Sequence, residues 1–229
     1  MIHFFKMKVS IIIPVLNEAE HIADTLKSLD AYRRQGHEVI VIDGGSNDDT
    51  VSITQQYADK VLHSDAGRAI QMNSGIDEAM GDALLFLHAD TRLPGDAVSK
   101  VINAIEDGYF WGHFNVRLSG KHFMFRIIER MMNMRSCITG VATGDQAIFV
   151  GLESIEIVGN YPQLPLMEDV VFSKRLRKLG WPACIKQQVV TSSRRWEDKG
   201  ILRTMLLMWR LRLLFFLGVS ADKLARQYP

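Results

Sequence analysis

Short apolar runs separated by helix-length amphipathic stretches constrain this chain more than any other feature. Val9–Ile13, Val39–Ile42 and Ala83–Leu87 are β-branched or aliphatic almost throughout. Strands of that kind are covered on both faces, the habit of parallel sheets flanked by helices. Between them lie helical patterns over residues 19–34 (with Ile22, Leu26 and Leu29), 51–57 and 68–79, and a short strand at Val61-Leu62. Pro94-Gly95-Asp96 opens a further helix reaching Ile105. The expected fold class is α/β with a mainly parallel central sheet.

The second half is less regular. Trp111–Leu118 alternates apolar and polar residues and reads as a strand with one wet face, and His122–Met134 as a methionine-rich helix. A short strand is expected at Ala147–Val150, and a helix at Glu168–Leu179 stopped by Gly180 and Pro182. Ala183–Thr191 is a last strand, and Ile201–Leu217 a final helix. No repeat, low-complexity tract or Gly/Pro/Ser-rich linker divides the 229 residues, so one domain is expected over residues 1–229. With 47% hydrophobic and 23% charged residues, the composition is that of a soluble globular protein.

Cys137 and Cys184 are the only cysteines and lie far apart, so neither a disulfide framework nor a CxxC zinc site is expected. A reducing, cytoplasmic setting follows from that usage. Residues 1–13 mimic a signal peptide but lack a small-residue cleavage site, and fit a first core strand better. The formal net charge of +1 hides an asymmetry: residues 174–229 carry 13 Lys and Arg against 3 Asp and Glu. A basic C-terminal segment on a near-neutral chain suggests an anionic partner, a substrate diphosphate, acidic lipid headgroups or nucleic acid; the alternative is that these charges solvate exposed helix faces.

Two strands end in a carboxylate. Asp82–Leu87 runs into His88-Ala89-Asp90-Thr91, and Glu38–Ile42 into Asp43-Gly44-Gly45-Ser46-Asn47-Asp48. Open α/β sheets bind ligands at the carboxyl edge of their strands, and hard divalent cations take carboxylate oxygen while leaving positions for phosphate. Ser46, Asn47 and Asp48 read as a turn and helix cap, whereas Asp43 reads as a nucleobase acceptor. Glu168-Asp169 opens a helix, where the dipole is expected to hold Asp169 ionised and ready to accept a proton; helix capping is the plainer reading. The set suggests a nucleoside-diphosphate site with a separate carboxylate for base chemistry. All seven histidines precede residue 123, so none from the C-terminal third can complete a metal shell. His113 and His122 are expected at the surface or in packing, and Met131, Met132 and Met134 as core filler.

Val9–Glu18, Ile42–Ser46, Leu87–Asp90 and Glu168-Asp169, in that order, resemble the family 2 glycosyltransferases of the GT-A fold, over about residues 8–199. Gly67-Arg68-Ala69, Gln71-Met72-Asn73, His88-Ala89-Asp90-Thr91, Gly144-Asp145-Gln146, Arg194-Arg195-Trp196 and Leu206–Arg210 resemble a compact bacterial subgroup of them. The resemblance implies a nucleotide-sugar half at about 8–110, an acceptor half at 111–199 and a C-terminal helical segment at 200–229. It implies that Pro14, Asn17, Glu18, Asp43, Arg68, His88 and Ala89 meet the nucleotide, that Asp90 holds Mn²⁺ or Mg²⁺, and that Asp169 is the base. Glu168 would orient the acceptor, and Asp145, Gln146, Arg194, Arg195 and Trp196 would meet the diphosphate or acceptor. Two positions depart from the family pattern: His88 stands for the first Asp of D-x-D, and Gly44 for a commonly acidic residue. Ser192 stands where the Q-x-x-R-W signature of polymerising members has Gln, which weakens a reading of polymer synthesis.

The implied activity is inverting transfer from a nucleotide-diphosphate sugar, UDP-sugars first, to an acceptor hydroxyl on an unknown, lipid or lipid-linked molecule. A sugar-phosphate nucleotidyltransferase is the rival enzyme, but its Gly-rich basic loop after the first strand is absent. A non-catalytic nucleotide-sugar binder or membrane scaffold is the second rival. No nucleic-acid partner is expected. Gly200–Val219 is apolar but interrupted by Arg203, Arg210 and Arg212, so it is expected to lie on the sheet domain, or on an anionic membrane surface, without spanning. Arg212 falls nearly opposite the other two and needs an anion or an escape to water.

Overall fold

The computed structural model describes residues 7–228; His3 and the start of the leader-like segment lie outside them. Strand β1 (Val9–Val15) leads through α1 (Ile22–Arg34) to β2 (Glu38–Asp43), and α2 (Thr50–Tyr57) to β3 (Lys60–His63). Helix α3 (Arg68–Glu78) returns to β4 (Ala83–Phe86), followed by β5 (Thr91–Arg92), α4 (Ala97–Glu106) and β6 (Trp111–Leu118). Then come α5 (Phe123–Thr139), a 3₁₀ turn (Gly144–Gln146), β7 (Phe149–Gly151), α6 (Leu152–Val158) and α7 (Glu168–Leu176). The chain closes with β8 (Ala183–Thr191), α8 (Arg194–Lys199), α9 (Ile201–Phe216) and α10 (Ala221–Ala225).

All eight strands form one sheet in the order β3-β2-β1-β4-β7-β6-β8-β5. The β3-β2-β1-β4 half is parallel, β7 runs antiparallel to both neighbours, and β6 and β8 pair parallel. The apolar runs are continuous because alternate residues enter different cores. Ile11 and Ile13 pack with Leu26, Leu29 and Val101 on one face. Ile12, Ile42 and Phe86 pack with Met72, Ile76 and Phe172 on the other. Helix α3 approaches so closely that a Cβ on Gly75 would lie 2.5 Å from Ile12 Cγ2; any larger residue there would push the helix off the sheet. The result is the α/β GT-A-like architecture with a central sheet and a C-terminal helix.

Several expectations are corrected. Strand β6 is wet only towards its end: it lies inside the sheet, His113 is as buried as Trp111 and Phe114, Asn115 is half-buried and Arg117 is exposed. Helix α5 runs five residues past Met134 to a left-handed Gly140. Its Met131 and Met134 are exposed rather than core filler, since α5 buries Phe125 and Ile128 instead. Arg194–Lys199 is helical and follows β8, a strand inside the sheet. Cys137 and Cys184, although distant in sequence, are joined by a disulfide between the end of α5 and the start of β8. No helix among the described residues is long and apolar enough to cross a membrane.

Candidate active site

The carboxyl ends of β1 and β4 open onto a cavity of about 640 Å³. Pro14, Glu18, Arg68, His88, Ala89 and Asp90 line one part of it, and Asp145, Glu168, Asp169, Arg194, Arg195 and Trp196 another. Asn17, Asp43 and Gln146 are not among its lining residues. Asn17 (φ 54°) accepts from Asn47 N–H at 2.8 Å, and Asp43 is buried, accepting from Gly45 and Ser46 N–H at 3.0 and 3.1 Å. Burial raises the Asp43 carboxyl, but the Ser46 and Gly45 donors outweigh it and hold it below the usual range. Both residues lock the β2–α2 turn. Gln146 donates to Ser136 Oγ at 2.8 Å inside the protein.

Asp90 sits between β4 and β5 on a loop that α1 holds: Thr25 Oγ1 donates to the Ala89 carbonyl at 2.6 Å. The Thr91 and Thr191 hydroxyls reach Asp90 Oδ1 at 3.3 and 3.4 Å, and no described residue hydrogen-bonds Oδ2. Glu18 is raised above the usual carboxylate range, first by burial and then by the charge of Asp90. Two acids that repel one another fit a hard divalent cation, which would relieve that repulsion. His88 does not fit as its ligand. Its Nδ1 faces Asp145 Oδ1 at 3.3 Å, and its Nε2 is shut from solvent without a partner. Gly144 closes over that ring, so a Cβ there would lie 2.4 Å from His88 Nε2.

Helix α7 begins after Met167 in a left-handed conformation (φ 67°), which turns Glu168 and Asp169 inward. Glu168 is buried and pairs with Arg68 Nη1 at 3.2 Å, which ties it to α3. Asp169 accepts from Gly144 N–H at 2.9 Å and Val170 N–H at 2.7 Å. Its carboxyl is nevertheless pushed up to about 6, by burial and then by the charge of Glu168. Asp169 is therefore ionised at neutral pH, as its helix-start position suggests, but less readily than a free carboxyl, because burial and Glu168 outweigh the two backbone donors and Arg68. A carboxylate poised near 6 is matched to accept a proton near neutrality.

Sequence reasoning passed over several contributors. Gln71 Nε2 donates to the Val15 and Ile42 carbonyls at 2.8 Å each, pinning the ends of β1 and β2. Thr191 braces Asp90 from β8. Thr204, Met208, Arg212 and Tyr228 bring the C-terminal segment into the cavity wall. The Gln71-Met72-Asn73 phrase was a visible signal for the first, whereas nothing local marks the others.

The glycosyl transferase family 2 sequence model matches residues 10–152. An uncharacterized glycosyltransferase of Mycobacterium tuberculosis is 34% identical over 164 residues, 67% of this chain but only 62% of its own length. Among solved structures, a Pyrobaculum calidifontis mannosyltransferase in complex with GDP-Man and Mn²⁺ shares the fold at TM-score 0.62 and 21% identity, over 82% of this chain and 57% of that one. S. aureus TarS 1–349 in complex with UDP-GlcNAc does so at TM-score 0.62 and 18% identity, over 81% and 58%. With the family pattern running through well over half of its length, the chain belongs to glycosyl transferase family 2.

Proposed function

We propose that this protein transfers a sugar from a nucleotide-diphosphate sugar to an acceptor hydroxyl with inversion at the anomeric carbon. One observation carries the reading: Asp90 and Asp169 line the same cavity at the sheet's carboxyl edge. Pro14, Glu18, Arg68, His88 and Ala89 form the nucleotide side, with Asn17 and Asp43 shaping it through their turn. A divalent cation on Asp90, Mn²⁺ or Mg²⁺, would neutralise the leaving diphosphate. Asp169 takes the acceptor hydroxyl proton as that oxygen attacks the anomeric carbon and the bond to the diphosphate breaks. Glu168 fixes Arg68 beside this centre and, lining the same cavity, would help to orient the acceptor. Arg194 and Arg195 offer donors to the departing charge, and Trp196 a face for a sugar ring.

Support comes from family membership and from the fold shared with proteins whose structures contain GDP-Man or UDP-GlcNAc. Thermal-shift titration with UDP and GDP, with and without Mn²⁺, tests the binding half, since a site ligand raises stability with log concentration. A metal-dependent rise for one of them is expected; no rise for either overturns the reading. Product analysis with a donor panel then tests transfer.

A second reading concerns placement. Leu202, Leu206, Trp209, Leu213 and Phe216 lie exposed along α9, interspersed with exposed Arg203 and Arg210. Apolar side chains edged by arginine fit the interface of an anionic membrane, which supports a reading of peripheral attachment on a cytoplasmic membrane face.

A further inference from the structure

The wall that α9 gives to the cavity contains polar groups that the proposed donor site does not use. Thr204, Met208 and Arg212 recur every fourth residue and so share one helical face, and all three line the cavity. Arg212 Nε is shut from solvent without an acceptor, and no carboxylate among the described residues forms an ion pair with it. Thr204 is buried to 6% exposure, yet its Oγ1 has no partner either. Buried polar atoms of folded proteins are paired almost without exception, and orphans grouped on one cavity wall mark the place of an absent ligand.

Position tells which ligand. Leu211, the neighbour of Arg212, packs with Leu166, Met167 and Val170, the residues around Asp169. The α9 wall therefore stands beside the proposed base, on the side an acceptor must enter. A guanidinium and a hydroxyl donor together fit a tetrahedral oxyanion.

We propose that Arg212 and Thr204 form a phosphoryl-binding subsite, and that the acceptor is a phosphorylated molecule. This rests on the glycosyl-transfer reading, because Asp169 supplies the orientation. It goes beyond that reading by naming the acceptor's charged group and the residues that hold it.

Calorimetric titration of inorganic phosphate into protein saturated with UDP and Mn²⁺ is the test, because the donor diphosphate site is then filled. One phosphate is expected to bind, at least tenfold more weakly in Arg212→Gln and severalfold more weakly in Thr204→Val, with UDP affinity unchanged in both. Absence of phosphate binding, or equal affinity in Arg212→Gln, overturns the proposal. Failure of UDP itself to bind counts against the donor reading. In that case the wild type and Arg212→Gln are compared with phosphate alone, and equal affinities still overturn the subsite. Competition by glycerol 3-phosphate, or by phosphatidylcholine vesicles with and without phosphatidic acid, separates a soluble from a membrane source of the phosphoryl group. Displacement by either supports the site, and displacement by neither overturns it.

Discussion

Asp169 is held in a place where its charge is disfavoured, and two measurements follow. Its carboxyl is raised from 3.8 to about 6 in the folded protein, so ionisation weakens the fold. That cost is absent below about pH 4 and complete above about pH 6. Asp169→Asn should therefore melt higher than the wild type at pH 8, and the gap should close towards pH 4. The same variant should bind nucleotide normally and lose roughly 10²–10⁴-fold in turnover, the usual contribution of a general base. In the wild type, kcat/KM should fall about tenfold per pH unit below about pH 6; a flat profile there removes Asp169 from the base role. At the metal position, Asp90→Asn should abolish Mn²⁺-dependent nucleotide binding, whereas His88→Ala should weaken it modestly. Unchanged Mn²⁺ dependence in Asp90→Asn would show that the cation sits elsewhere.

Among elements, the 3₁₀ turn joins the two proposed centres mechanically. Gly144 donates its N–H to Asp169 and has its Cα against His88. Gly144→Ala should displace the His88 ring and depress both nucleotide binding and turnover, measured as a joint change in KM and kcat. The disulfide links α5 to β8 across a sequence separation of 47, a loop worth about 4 kcal/mol in the chain-entropy account. Reductant should lower the melting temperature of the wild type towards that of Cys184→Ser and leave the variant unmoved. These links show where sequence reading stops. Strands β1, β2 and β4 were legible because continuous apolar runs allow only a strand covered on both faces. Asp90 and Asp169 stood out because each follows or opens an element in a recognisable phrase. Strand β6 was legible in part: His113, Asn115 and Arg117 alternate with apolar residues as a wet face would, but of the three only Arg117 is exposed. In the fold His113 is enclosed, with Cys184 Sγ 3.7 Å from its Nε2, and burial lowers its pKa to keep it neutral. The disulfide was illegible for a related reason: sequence distance says nothing about which strand lies beside which helix.

Over the whole molecule, α5 and α9 meet through Phe125, Ile128, Ile201 and Met205 and turn other apolar residues outward. Phe123, Ile127, Met131, Met134 and Ile138 are exposed on α5, as Leu202, Leu206, Trp209, Leu213 and Phe216 are on α9. Flotation with anionic and neutral liposomes should recover the protein only with the anionic ones, less so at high salt, and Trp209→Ser with Phe216→Ser should abolish recovery. Absence of flotation with either leaves α9 as a docked helix alone. Periodicity had marked α9 as two-sided but did not say which side met protein. The answer sets a length. Thr204 faces the cavity while Leu206 and Leu213, on nearly the opposite side of α9, face outward, so a single helix, about 10–12 Å across, separates the chemistry from whatever the protein rests on. On a bilayer, the reacting hydroxyl would have to stand off by about that thickness. An acceptor whose hydroxyl lies flush with the headgroups would be out of reach, whereas one raised on a phosphate-linked stem would meet the site without leaving its membrane.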